Sequence, residues 1–270
     1  MTNRFAPTGG CVEMSVEFVT REIIFDRNSV LAWHIFDWQK FNYDPAEHFV
    51  EAGEEIYLEL SDEKPTVLSE KLAEEVNRQA ISYSESMRDI FEQVPPRLKK
   101  YEIVIAELPI DELEVFMAQI GIKLKALCDH MNWSQIHIIS DSRSPYLLQD
   151  NAYPPVKLAE KKLNDMGLEH DFSGGIILES TSIQEFFSPI FWIVRCNASA
   201  PYINFCAEGS KTVGVLCKYG NVHFEPYCER EKKQLLAAMG DTGFEESEDG
   251  CCYERFSEDS AMEGRKISLD

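Results

Sequence analysis

Residues Tyr101 to Ser140 read YEIVIAELPIDELEVFMAQIGIKLKALCDHMNWSQIHIIS, and this stretch decides the fold class. Tyr101-Glu102-Ile103-Val104-Ile105-Ala106 is rich in β-branched residues and too short for a core helix, so it reads as a strand. Leu113, Phe116, Met117, Ile120, Leu124, Leu127 and Met131 then recur every three or four residues, which predicts a long amphipathic helix. Asp111, Glu112 and Glu114 stand near its start and Lys123 and Lys125 in its second half, as the helix dipole favours. Gln135 to Ser140 is a second β-rich run. Two strands joined by a helix of this length are expected to be parallel neighbours with a right-handed crossover. The strand-to-helix turn, Glu107 to Asp111, lacks the glycine that lets a phosphate approach the backbone, so the unit reads as scaffold.

Outward toward the C-terminus, Tyr153-Pro154-Pro155 opens a helix over Val156–Met166, with Gly167 placed to close it. Gly174 to Glu179 is another strand and repeats the strand–helix–strand order. Ser182 to Phe187 predicts a short helical turn ended by Pro189. Beyond it, Phe191–Cys196, Tyr202–Ala207, Thr212–Cys217 and Val222–Tyr227, separated by turn residues, predict an antiparallel meander. Glu229–Met239 is a short helix capped by Gly240.

Outward toward the N-terminus, a helix is expected to start at Thr66 or Ser69 and to run to the Pro95-Pro96 stop. Val12 to Val19 alternates apolar and polar residues like a half-buried strand. Arg21–Phe25 and Val30–Phe36 flank the turn-like Asp26-Arg27-Asn28-Ser29, which predicts a hairpin or three-strand meander. Ile56–Leu60 adds a strand. The expectation is an α+β (mixed α/β) fold: N-terminal antiparallel strands, two long amphipathic helices, strand–helix–strand units and a C-terminal antiparallel meander. Residues 1–240 would form one compact domain and 241–270 an acidic C-terminal tail or extension.

Charge narrows the partners. The chain has 270 residues, with 47 Asp and Glu against 26 Lys and Arg, for a net charge of −21. Acidic residues outnumber basic ones 13 to 5 over residues 1–65 and 10 to 3 over 241–270. Direct nucleic-acid binding is disfavoured because phosphate contacts need clustered Lys and Arg, whereas a basic protein partner suits this charge. The first residues lack a signal-peptide segment, and no run approaches the roughly 18 apolar residues of a membrane helix. The expected location is the cytoplasm, with no membrane association and thiols kept reduced.

Motifs for chemistry are sparse. Cys196, Cys206, Cys217 and Cys228 recur at intervals of 10 and 11 but lack the close pairs usual for zinc, so no metal or cofactor is expected. Cys206 or Cys217 with His223 on a neighbouring strand is geometrically able to form a Cys–His pair. Cys251-Cys252 falls in the acidic tail. Asp141 and Arg143 follow the second strand of the opening unit, where α/β sheets hold ligands, and with His137 and His223 they are the catalytic candidates. Trp33 and Trp38, in the most aromatic stretch, read either as core or as a binding surface. Glu245, Glu246, Glu248 and Asp249 are the acidic binding candidates. Two functions follow. One is a protein-binding module, such as an inhibitor or immunity-type protein for a basic partner. The other is a hydrolase-like enzyme whose polar site assembles in three dimensions near Asp141, Arg143 and His137.

Overall fold

The computed structural model describes residues 15–56, 65–247, 250–257 and 262–267. In chain order come β1 (Val16–Val19), α1 (Arg21–Arg27), α2 (Ser29–Asn42), β2 (Glu55–Ile56), β3 (Thr66–Val67) and α3 (Glu70–Met87). Then follow β4 (Val104–Glu107), α4 (Leu113–His130), β5 (Gln135–Ser140), α5 (Pro154–Asp165), β6 (Gly175–Glu179) and α6 (Ile183–Cys196). The chain continues through β7 (Ile203–Ala207), β8 (Thr212–Leu216), β9 (Val222–Pro226), α7 (Glu229–Thr242) and β10 (Glu245–Glu246). Eight strands form one sheet in the order β1-β6-β5-β7-β8-β9-β4-β10, antiparallel at every pairing, while β2 and β3 pair separately. The fold is α+β.

Side-chain alternation along the strands feeds two cores. Ile136, Ile138, Ile176, Leu178, Phe205 and Phe224 point to the face covered by α4, α5, α6 and α7. Ile139, Ile177, Cys206 and Val213 point to the opposite face, under Ile24, Leu31 and Ile35 of α1 and α2. The β7–β8–β9 meander is present.

The strand–helix–strand reading of the opening stretch needs one correction. β4 and β5 run in the same direction, but β9, β8 and β7 lie between them. The meander closes through two short local turns and supplies the inner ladder, so β4 and β5 attach to its opposite sides. The sheet therefore has no parallel pair around β5 to create a ligand crevice.

The N-terminal hairpin is also corrected, because Arg21–Phe36 is helical. Asn28 is a helix cap: its side chain accepts from the Leu31 N–H at 3.0 Å. Asx chemistry serves turns and caps alike, and the buried set Ile24, Leu31 and Ile35 fits a helical face as well as a short strand. The expected strand over Ile56–Leu60 is described only as far as Ile56.

Helix α3 is capped by Ser69, with Thr66 in β3, and it stops at Met87 well before the prolines. The chain turns away there because Asp89 is drawn to Arg21 and Gln39. Helix α5 closes at Gly167 (φ +100°), where Gly167 and Leu168 N–H groups return to Asn164 and Leu163 carbonyls. Helix α7 passes through Gly240 and ends at Gly243, φ +86°.

Phe191–Cys196 is the second half of α6, not a strand. Pro189 lies inside that helix and removes the donor for the Glu185 carbonyl, a defect of about 3 kcal/mol. Phe186, Phe187, Ile190 and Phe191 are all buried, at roughly 1.5–3 kcal/mol each, so packing overrides the break. The 241–270 segment is not simply a trailing tail: β10 pairs with β4, and Glu254 and Phe256 pack on the body.

Candidate functional site

The four catalytic candidates occupy four separate environments. Asp141 is buried and its carboxylate accepts from the Tyr202 N–H at 2.9 Å and the Tyr43 hydroxyl at 3.3 Å. Burial pushes its pKa up, opposed by those hydrogen bonds and by Arg21. Beside it, the Arg21 guanidinium donates to both Asp89 carboxylate oxygens at 2.7 Å and to Ser140 Oγ and O at 2.8 and 2.9 Å. Gln39 Nε2 donates to Asp89 and to the Asp141 carbonyl. This network stitches the N-terminal helices to the end of β5, and its chemistry is that of a structural joint.

Arg143, two residues on, is exposed. His137 is fully buried between Asn28 Nδ2 (3.4 Å) and Gln135 Oε1 (3.3 Å), and burial lowers its pKa. Trp33 is core, and Trp38 is half-buried, edge-on to Tyr202. Glu245 and Glu246 are exposed on β10, and Glu248 and Asp249 lie outside the described residues.

His223 is the candidate with reactive company. The β8–β9 turn is clamped by the Cys217 N–H on the Asn221 carbonyl and the Gly220 N–H on the Cys217 carbonyl, both at 3.0 Å. That places Cys217 and His223 on the two arms of one hairpin. Cys252 arrives from the 250–257 segment: its Sγ is 3.1 Å from Cys217 Sγ, 3.2 Å from His223 Nε2 and 3.0 Å from Asn221 Nδ2. The hydrogen bond between the thiols lowers the Cys217 pKa, and it raises that of Cys252 with help from burial, so Cys217 is the more acidic thiol. Cys196 and Cys206 stand elsewhere in the fold, and burial pushes them up to about 11 and about 12.

The segment that delivers Cys252 is anchored immediately after it. Glu254 receives both Arg195 Nη atoms at 2.8 and 2.9 Å, and each side chain is only 2% exposed. Arg195 also donates to the Lys218 carbonyl in the hairpin turn and stacks on Phe256 at 4.8 Å. Gly220 has φ +90°, and a Cβ there would fall 2.7 Å from the Phe256 ring, so both turn and segment need glycine. Cys217 and His223 were visible in sequence as a strand-borne pair. Cys252 was not, because only the packed return of the chain brings it near.

A second feature lies on the helical face. Helix α6 packs against both α4 and α5, and the three enclose a groove of about 860 Å³. Met117, Leu158, Met166, Pro189 and Trp192 give it apolar walls, and Glu114, Glu185, Asp165 and Lys162 stand among its lining residues. Gly121 allows the close α4–α6 approach, since a Cβ there would lie 2.5 Å from the Gln184 carbonyl. Leu158 is 56% exposed and is one of the residues lining the groove. The groove was not legible in sequence, where Ser182–Phe187 reads as a short helical turn and Phe191–Cys196 as a strand in place of α6.

No protein-family model matches this chain, and comparisons with curated proteins and with solved structures gave no match either.

Proposed function

We propose that this protein is a protein-binding module whose α4–α5–α6 groove receives an amphipathic helix from a basic partner. The observation that carries the reading is the groove itself: apolar walls with three carboxylates and one lysine among the lining residues. Helix-in-groove recognition uses such a surface, with apolar anchors at i, i+3, i+4 and i+7 inserted below a charged rim. The overall charge of −21 adds long-range attraction for a cationic partner and speeds encounter. An inhibitor or immunity-type role in the cytoplasm fits that chemistry. Among the described residues no helix is long and apolar enough to cross a membrane. The four catalytic candidates do not line one common pocket.

The test uses two synthetic amphipathic helices with the same leucine face, one carrying lysines on its polar face and one carrying glutamates. Each is titrated into the full chain while Trp192 fluorescence is followed, with Trp192→Phe as the signal control. The lysine helix should bind, with affinity falling at least tenfold between low and high salt, and Leu158→Glu should abolish binding. Equal binding of both helices, or binding unchanged by Leu158→Glu, would overturn the proposal.

A further inference from the structure

We propose that Cys217, His223 and Cys252 form a binding site for a thiophilic divalent cation of the zinc type. Their ligand atoms, two Sγ and one imidazole nitrogen, all lie within 4.8 Å of one another. A tetrahedral zinc with bonds of about 2.3 Å to sulfur and about 2.0–2.1 Å to nitrogen sets S···S near 3.8 Å and S···N near 3.5 Å. To reach those values the Cys217–Cys252 separation of 3.1 Å must open by about 0.7 Å and the Cys252–His223 separation of 3.2 Å by about 0.3 Å. Side-chain rotations on a fixed backbone supply such shifts.

The surroundings are those of a ligand site rather than of three stray side chains. Cys217 and His223 sit on a clamped hairpin, and Cys252 is fixed by the buried Glu254–Arg195 pair two residues later. Rigid supports of this kind hold ligands at bonding distance. Asn221 is fully buried, and its Nδ2 donates to Cys252 Sγ, as outer groups do to metal-bound thiolates. The Oδ1 of the same amide is buried without a hydrogen-bond partner. Since Oδ1 and Nδ2 belong to one amide, this acceptor lies next to the group that touches Cys252. Three protein ligands with a fourth position for water is the arrangement of an open zinc site. Binding displaces the thiol protons to solvent, so affinity rises with pH.

The experiment titrates cobalt(II), then zinc, into the full-length reduced protein after chelator treatment. One equivalent of cobalt should give a thiolate-to-metal charge-transfer band and intense tetrahedral visible bands, and zinc should displace it. Cys217→Ser and Cys252→Ser should each weaken the charge-transfer band and lower zinc affinity at least tenfold. His223→Gln should lower affinity while keeping the thiolate band, and Cys228→Ser should change neither. Circular dichroism of each variant separates ligand loss from unfolding, and His223→Gln reports even if a cysteine variant fails to fold. The proposal is overturned if the reduced protein gives no thiolate–cobalt band, or if the band survives in the Cys217→Ser/Cys252→Ser double variant. It is also overturned if the two cysteines are recovered as a disulfide that reduction does not convert to a metal-binding form.

Discussion

Replacing Glu254 with glutamine tests what holds the C-terminal segment in place. The substitution keeps the shape of the side chain and removes its charge, leaving the Arg195 guanidinium, 2% exposed, with one amide oxygen, the Lys218 carbonyl and the Phe256 ring as partners and no countercharge, while the new NH₂ faces the other guanidinium donor. Breaking a buried ion pair from one side costs about 3–5 kcal/mol, because the surviving charge stays desolvated. For a chain of this size each kcal/mol shifts Tm by about 2–4 °C, so a fall on the order of 10 °C is expected in calorimetry. The Arg195→Met/Glu254→Leu double variant removes both charges and should recover at least half of that loss. A Glu254→Gln loss below about 1 kcal/mol, the level of a solvent-exposed pair, would refute the reasoning. So would a double variant no more stable than the single one, since the penalty would then not come from an orphaned charge.

Two further outcomes follow from other buried carboxylates. At Glu225, burial pushes the pKa up, but His34 and Lys100 outweigh it and hold the group at about 2 rather than the ordinary 4.5. A depressed folded-state value contributes stability above pH 4.5 that is lost as pH falls through about 2, so acid unfolding should show this loss and Glu225→Gln should flatten it; an unchanged acid limb in the variant counts against the assignment. Asp141→Asn should stay within about 1 kcal/mol of the parent in denaturant unfolding, because the amide oxygen still accepts from Tyr202 N–H and the Tyr43 hydroxyl can accept from the new NH₂. Asp141→Leu, which removes the acceptor of the part-buried Tyr202 N–H and the partner of the Tyr43 hydroxyl, should cost about 1–3 kcal/mol, and equal stability of the two variants would remove the structural-joint reading.

What the sequence made legible was what depends on near neighbours. Helix α4 carries its core residues at strict helical spacing, and α5 ends where Gly167 can adopt a left-handed conformation. The β7–β8–β9 meander announced itself through regularly placed turn residues. The errors fall where local signals serve two structures. Asn28 looks the same as a turn residue and as a helix cap, and the half of α6 after Pro189 is apolar except for Arg195, so Phe191–Cys196 reads as a strand. Pro189 strengthened the mistake, since its cost is local while the packing that outweighs it comes from α4 and α5. The order of strands was not legible for the same reason: nothing in Tyr101–Ser140 says that residues 203–226 will separate its two strands.

The cysteine–histidine cluster joins a local determinant to a long-range one. Cys217 and His223 are six residues apart, too far for the close ligand pairs of a zinc ribbon, yet a tight β-turn between antiparallel strands makes them diagonal neighbours, Cys217 lying across from Asn221 and His223 across from Val215. The backbone hydrogen bonds of the turn, with Gly220 supplying the left-handed conformation, put the two on adjacent arms. That half of the site follows from local rules. The other half depends on Arg195 at the C-terminal end of α6, a buried cation that requires a carboxylate. The nearby acidic segment offered many carboxylates, and Glu254 is the one that packing selects, with Cys252 two residues before it. A buried arginine in an apolar helix therefore carries information about where a distant acidic segment must return, and with it about which thiol completes the site.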